Sequence, residues 1–94
     1  MEIKQVDNHE RGYFQAEDNG REAGLMTYVY AGPKKLIIDH TEVDEAYAGQ
    51  GVGSSMVEKA VDFARQKDYK ILPLCPFAKS VFNKTPDYND VLLG

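Results

Sequence analysis

Three short segments of the chain gather anion-binding, proton-accepting or nucleophilic groups. The run Ala48-Gly49-Gln50-Gly51-Val52-Gly53, followed by Ser54, stands at the start of a predicted helix. There the first backbone N–H groups lack intrahelical partners and the macrodipole favours an anion. Glycines let phosphate oxygens approach the main chain, and successive amides set as a nest suit a pyrophosphate. His40 and Glu42 lie two apart on a predicted strand, so their side chains share a face and could accept a proton directly or through water; a solvent-facing hydrogen-bond pair is the plainer alternative. Cys75 falls between a strand end and a helix N-terminus, where a nucleophilic thiol could relay an acyl group, although a lone cysteine also serves as a small buried hydrophobe.

Two other glycine signatures fail on their spacing. The dinucleotide fingerprint needs its third glycine where Ser54 stands, within a longer doubly wound sheet. The P-loop needs Gly-Lys-Ser or Gly-Lys-Thr, and Gly53 is followed by Ser54-Ser55. With one cysteine, an internal disulfide and a four-cysteine zinc site are both excluded, and no metal is expected.

These residues need a scaffold, and 94 residues suffice for one domain, 1–94, around one modest core. Ile3–Val6 and Gly12–Ala16 alternate as a hairpin, Asp18-Asn19-Gly20 signals a turn, and Leu25–Tyr30 reads as a third strand. Leu36–Val43 forms a fourth strand, apolar enough at its start for burial on both faces, and runs straight into the glycines. From Gly53 to Lys67, Met56, Val57, Ala60, Val61 and Ala64 make one helical stripe. Lys70–Leu74 is a fifth strand whose Pro73 leaves one side unpaired, Pro76 opens a short helix that Pro86 halts, and Asp87 to Gly94 is turn-like. The fold class is therefore α/β (α+β): a mixed, mostly antiparallel five-stranded twisted sheet with one long and one short helix.

Net charge is −4, with ten acids against five bases through Gln50 and five against six after it, which argues against a nucleic-acid partner. No apolar run approaches a membrane span, and Met1-Glu2-Ile3-Lys4 has no hydrophobic signal core, so a cytoplasmic protein without membrane contact is expected.

The stretch from Val43 to Val57 resembles the acetyl-CoA motif of the GCN5-related N-acetyltransferases, with a strand end, a Gln/Arg-x-x-Gly-x-Gly/Ala loop and a long helix. His40-Thr41-Glu42-Val43 and Leu74 to Phe82 extend the likeness to a short subfamily lacking two helices after the first strand. The resemblance implies a minimal form of that fold, acetyl-CoA as cosubstrate and an amine acceptor, small molecule or protein, whose identity and the oligomeric state stay open. It also implies a ligand wedged where the fourth and fifth strands part, with a backbone N–H near Val43 polarising the carbonyl. Glu42 is the first choice for general base. Pro76, Phe77, Val81 and Phe82 would border the coenzyme as an apolar wall, with Lys79 and Lys84 near its ribose phosphate, while Tyr28 and Tyr30 would line the acceptor side or simply pack the sheet. Two departures stand out. Ala48 replaces the usual first Gln or Arg, and Phe82 falls where many members carry a proton-donating tyrosine. The alternatives to an acetyltransferase are a CoA-binding or acyl-CoA-sensing module without turnover, and an interaction domain with an incidental glycine turn.

Overall fold

The computed structural model describes residues 1–93; Gly94, the last residue of the turn-like tail, lies outside them. Strands β1 (Glu2–Asp7), β2 (Arg11–Asp18), β3 (Arg21–Tyr30) and β4 (Lys35–Val43) form an antiparallel meander. Helix α1 (Val52–Lys67) then crosses over to β5 (Lys70–Pro73), which pairs parallel to β4, and α2 (Pro76–Lys84) follows. The sheet order is β1-β2-β3-β4-β5, so the five-stranded, mostly antiparallel expectation is met.

Local chemistry accounts for the turns. Asp7 accepts from the His9 amide, and Asn8 from those of Glu10 and Arg11, which lets His9 sit at φ 69° and closes the first hairpin. Asn19 and Gly20, both at positive φ, close the second. Helix α1 begins one residue before the periodicity suggests, at Val52, and lays Val52, Met56, Val57, Ala60, Val61 and Ala64 on the sheet. It sits close because Gly24 of β3 has no side chain: a Cβ there would stand 3.0 Å from both Met56 and Val52. Phe14, Ala16, Met26, Tyr28, Leu36, Ile38 and Ile71 supply the sheet's half of the core.

Three details correct the sequence reading. Leu36 and Ile38 are buried, but Ile37 between them is only half-buried, because α1 covers one face of the sheet and not the other. Short 3-10 turns form at Glu45–Tyr47 and Pro86–Tyr88. The tail also adds to the sheet: the Ile71 amide donates to the Val91 carbonyl and the Leu93 amide to Ile71, so β5 is covered at Ile71. Pro73, two residues on, has no N–H to offer on that same outer side, and among the described residues no ladder bond continues there.

Candidate active site

The site is built where β4 and β5 separate. Their ladder runs from Lys35 opposite Lys70 to Ile38 opposite Pro73 and goes no further, although β4 continues to Val43. The Ile38 carbonyl accepts from both the Leu74 and Cys75 amides at 3.1 Å, a last clasp before the chains part. At the same point β4 takes in one extra residue. Tyr28 pairs with Ile38 but Thr27 pairs with His40, leaving Asp39 as a bulge.

That bulge inverts the alternation of main-chain groups. Before it, Ile38 turns its carbonyl to β5; an unbroken strand would present Asp44 the same way, yet the Asp44 amide donates back to Ala23 of β3. Thr41 and Val43 are out of step with Asp44, so their N–H groups face the gap that β5 has left. The sequence places a carbonyl-polarising amide near Val43 only by resemblance; the register gives the direction a cause.

The glycine loop borders the same gap. Asp44 caps the Glu45–Tyr47 turn by accepting from the Ala46 amide, and the Tyr47 hydroxyl donates to Asp18 at 3.0 Å while Arg21 lies 5.5 Å over its ring. So braced, the chain enters Gly49 at φ 79° and Gly51 at φ 75°, left-handed conformations that favour glycine. The Ala48 and Gln50 amides bond within this turn, and Ser55 makes the first helical bond, to Gly51. Among the described residues the amides of Gly49, Gly51, Val52, Gly53 and Ser54 have no protein acceptor. These five donors, at the positive end of α1, suit an anion such as a diphosphate on the chemistry of the donor set alone.

Gly53 has a different reason for being glycine. A Cβ there would fall 2.4 Å from the ring of Phe77, which leans from the first turn of α2 onto the first turn of α1. Phe77 stays 40% exposed, whereas Phe82 is 2% and Val81 8% exposed. Of the expected wall of Pro76, Phe77, Val81 and Phe82, the structure leaves Pro76 and Phe77 at the surface, while Val81 and Phe82 are buried in the core, Phe82 packing on Tyr88.

Cys75 is the N-cap of α2, its Sγ accepting from the Ala78 amide at 3.4 Å and lying 3.2 Å from Thr41 Oγ1 across the gap. It is 6% exposed. Thr41, which sequence reasoning passed over, therefore joins Cys75 at the mouth of the parted strands. His40 Nε2 and Glu42 Oε1 stand 3.1 Å apart on the opposite face, both largely exposed. The structure brings these two together as their spacing suggests. Asp39, another residue not singled out from sequence, joins that face through the bulge and accepts from the Thr27 hydroxyl at 2.7 Å.

Tyr28 and Tyr30 do not line this site. Both hydroxyls point to the α1 side and donate to Asp7 Oδ2 at 2.6 Å, a packing role, although Tyr28 also borders the groove on the other face of the sheet. Lys79 and Lys84 make no ion pair among the described residues. No group of three or more His, Cys, Asp and Glu is placed to hold a metal among the described residues, and no helix there is long and apolar enough to cross a membrane.

Comparison with known proteins agrees with this geometry. The sequence pattern of the GCN5-related N-acetyl-transferase family matches residues 12–91. The chain is similar to a GCN5-like protein from Staphylococcus aureus solved by NMR, at 36% identity and a TM-score of 0.75, over 99% of this chain and 88% of that one. Protein NATD1 of Xenopus tropicalis is 27% identical over 85 residues, 89% of this chain and 78% of its own length. A predicted acetyltransferase from Clostridium acetobutylicum, crystallised with acetyl-CoA, shares the fold at a TM-score of 0.64 and 18% identity, over 79% of this chain and 55% of that chain. A glycine-rich anion cradle beside a strand pair parted at a bulge, within a sequence that fits the family pattern almost end to end, places this chain among the GCN5-related N-acetyltransferases.

Proposed function

We propose that the chain is a single catalytic domain, acting in the cytoplasm, that transfers the acetyl group of acetyl-CoA to a primary amine. The observation that carries this reading is the convergence of five free amides at the start of α1 with the gap between β4 and β5. In this reading Gly49–Ser54 hold the pyrophosphate, Phe77 and Pro76 flank the coenzyme, and the pantetheine arm follows the gap in place of a strand. The thioester carbonyl meets the Val43 or Thr41 amide, which stabilises negative charge as it develops on oxygen.

The acceptor nitrogen then attacks the carbonyl carbon, the C–S bond breaks, and the coenzyme leaves as a thiolate. The amine's proton passes to the His40–Glu42 pair, with Glu42 as base and His40 holding it in place. Phe82 cannot protonate the departing sulfur; the hydroxyl of Thr41 and the thiol of Cys75 are the proton-bearing groups at the gap. The thiol's burial and its bond from Ala78 favour direct transfer over an acetyl-cysteine relay.

Phe82 also favours a second reading, a module that binds acetyl-CoA without turnover. Binding alone, with ligand at 100 times its Kd, raises stability by about 2.7 kcal/mol. Thiol release with an amine panel separates the two. Transfer requires release that depends on amine and drops about a hundredfold in Glu42→Gln with acetyl-CoA affinity unchanged; binding without amine-dependent release supports the sensing module instead.

A further inference from the structure

The face of the sheet opposite α1 holds a groove of about 440 Å³ that the coenzyme reading leaves unused. Its floor is Val6, Tyr13 and Val29, and Thr27 and Asp39 close one end. The volume lies within the range of roughly 300–1,000 Å³ usual for small-molecule sites. Two features give it a direction.

The first is a pair of opposite charges that do not meet. Arg11 lines the far end and makes no ion pair among the described residues. Asp39 spends one carboxylate oxygen on the Thr27 hydroxyl and keeps the other free. Arg11 pairs with Val29, and Thr27 pairs with His40 beside Asp39, so the two lie two strands and two residues apart. That is roughly 12 Å between Cα atoms, the two side chains form no ion pair, and Val29 and Tyr13 lie between them. The second is position: Asp39 directly follows Ile38, whose carbonyl makes the last clasp to β5, so the groove's acidic end opens at the gap between the strands.

We propose that this groove receives the acceptor, and that the acceptor is a primary amine bearing an anionic group several bonds away. Asp39 draws the ammonium to the gap, Arg11 takes the anion, and the apolar floor covers the methylenes between. The transfer step rests on the function proposed above; the groove's preference for such a molecule does not.

The probes are 6-aminohexanoate and 6-aminohexanamide, which keeps the ammonium and replaces the carboxylate by a neutral carboxamide. In amide NMR titrations, 6-aminohexanoate moves Tyr13, Thr27 and Val29 and binds at least fivefold more tightly than the amide. In the thiol-release assay kcat/KM favours 6-aminohexanoate at least tenfold. Arg11→Gln removes that preference by lowering only the carboxylate's value, and Asp39→Asn lowers both; both side chains are exposed, so the variants fold. Equal affinities for the two probes, unmoved groove amides, or a preference that survives Arg11→Gln would overturn the proposal. Groove binding without any amine-dependent thiol release would sink acetyl transfer while leaving the groove assignment standing.

Discussion

The two ends of α1 lie over the same sheet and treat hydrogen bonds in opposite ways. At the C-terminal end no buried side-chain polar atom lacks a partner among the described residues. Tyr28 and Tyr30 both donate to Asp7, Gln5 donates to the Tyr28 hydroxyl at 2.8 Å, and Phe14, Phe63 and Tyr69 pack around them. Burial pushes the Asp7 carboxyl up, but the bonds from the two phenols and the His9 amide, with the His9 ring nearby, together hold it below its ordinary value. Burial and Asp7 push both tyrosines well above the usual phenol range. At the N-terminal end five amides have no acceptor among the described residues, two glycines sit in left-handed conformations, and β4 and β5 have parted. Satisfied groups rigidify one end so that the other can keep donors free for a ligand. The comparison predicts that damage at one end is read as stability and at the other as binding.

The largest effect belongs to Asp7→Ala, which strips two phenols of their acceptor beside the core. It should lower the unfolding free energy by about 3 kcal/mol in urea titration and leave acetyl-CoA affinity within about twofold. Gly51→Ala reverses the balance: forcing a side chain into the left-handed region costs about 1–2 kcal/mol of stability, and the skewed cradle should bind acetyl-CoA at least tenfold more weakly by calorimetry.

The same contrast appears against pH. Asp7 has a lowered folded pKa, so its contribution is present above the unfolded value of about 3.9 and is lost as pH falls through the folded one. Tyr28 and Tyr30 have raised folded values, so their contribution is full below about pH 10 and is lost as pH climbs through the folded values. Urea midpoints should fall on both limbs, with the acid limb shallower in Asp7→Asn and the alkaline limb shallower in Tyr28→Phe. The smallest effect is that of Gly53→Ala. The new Cβ meets the tip of a partly exposed Phe77 ring that can swing aside, so stability should change by less than about 1 kcal/mol, while a shifted Phe77 should register as a few-fold weaker coenzyme binding.

How much of this was legible in the sequence follows from range. Strand alternation, the α1 stripe and the glycine cradle depend on residues near one another in the chain, and all three are visible as spacing. His40 and Glu42 likewise share a face because a strand alternates. The bulge at Asp39 is invisible in that way, since it exists only as a mismatch between β3 and β4; with it went Asp39, Thr41 and the inverted amides. Tyr28 and Tyr30 are read correctly as one face, but which face depends on the helix above, and their partner Asp7 is more than twenty residues away. Phe82 looks like Phe77 in sequence and differs only by which side of α2 meets the core. The tail's addition to β5 has no local signal at all.

If the free amides beside the parted strands cradle the coenzyme, its binding must move them. Titration of labelled protein with acetyl-CoA, followed by amide NMR, tests it most directly. Large, saturable shifts are expected at Gly49, Gly51, Val52, Gly53 and Ser54, with Thr41 and Val43 moving in step and Asp7, Tyr28 and Tyr30 still. Shifts confined to the Asp7 end, or none at millimolar acetyl-CoA, would contradict it.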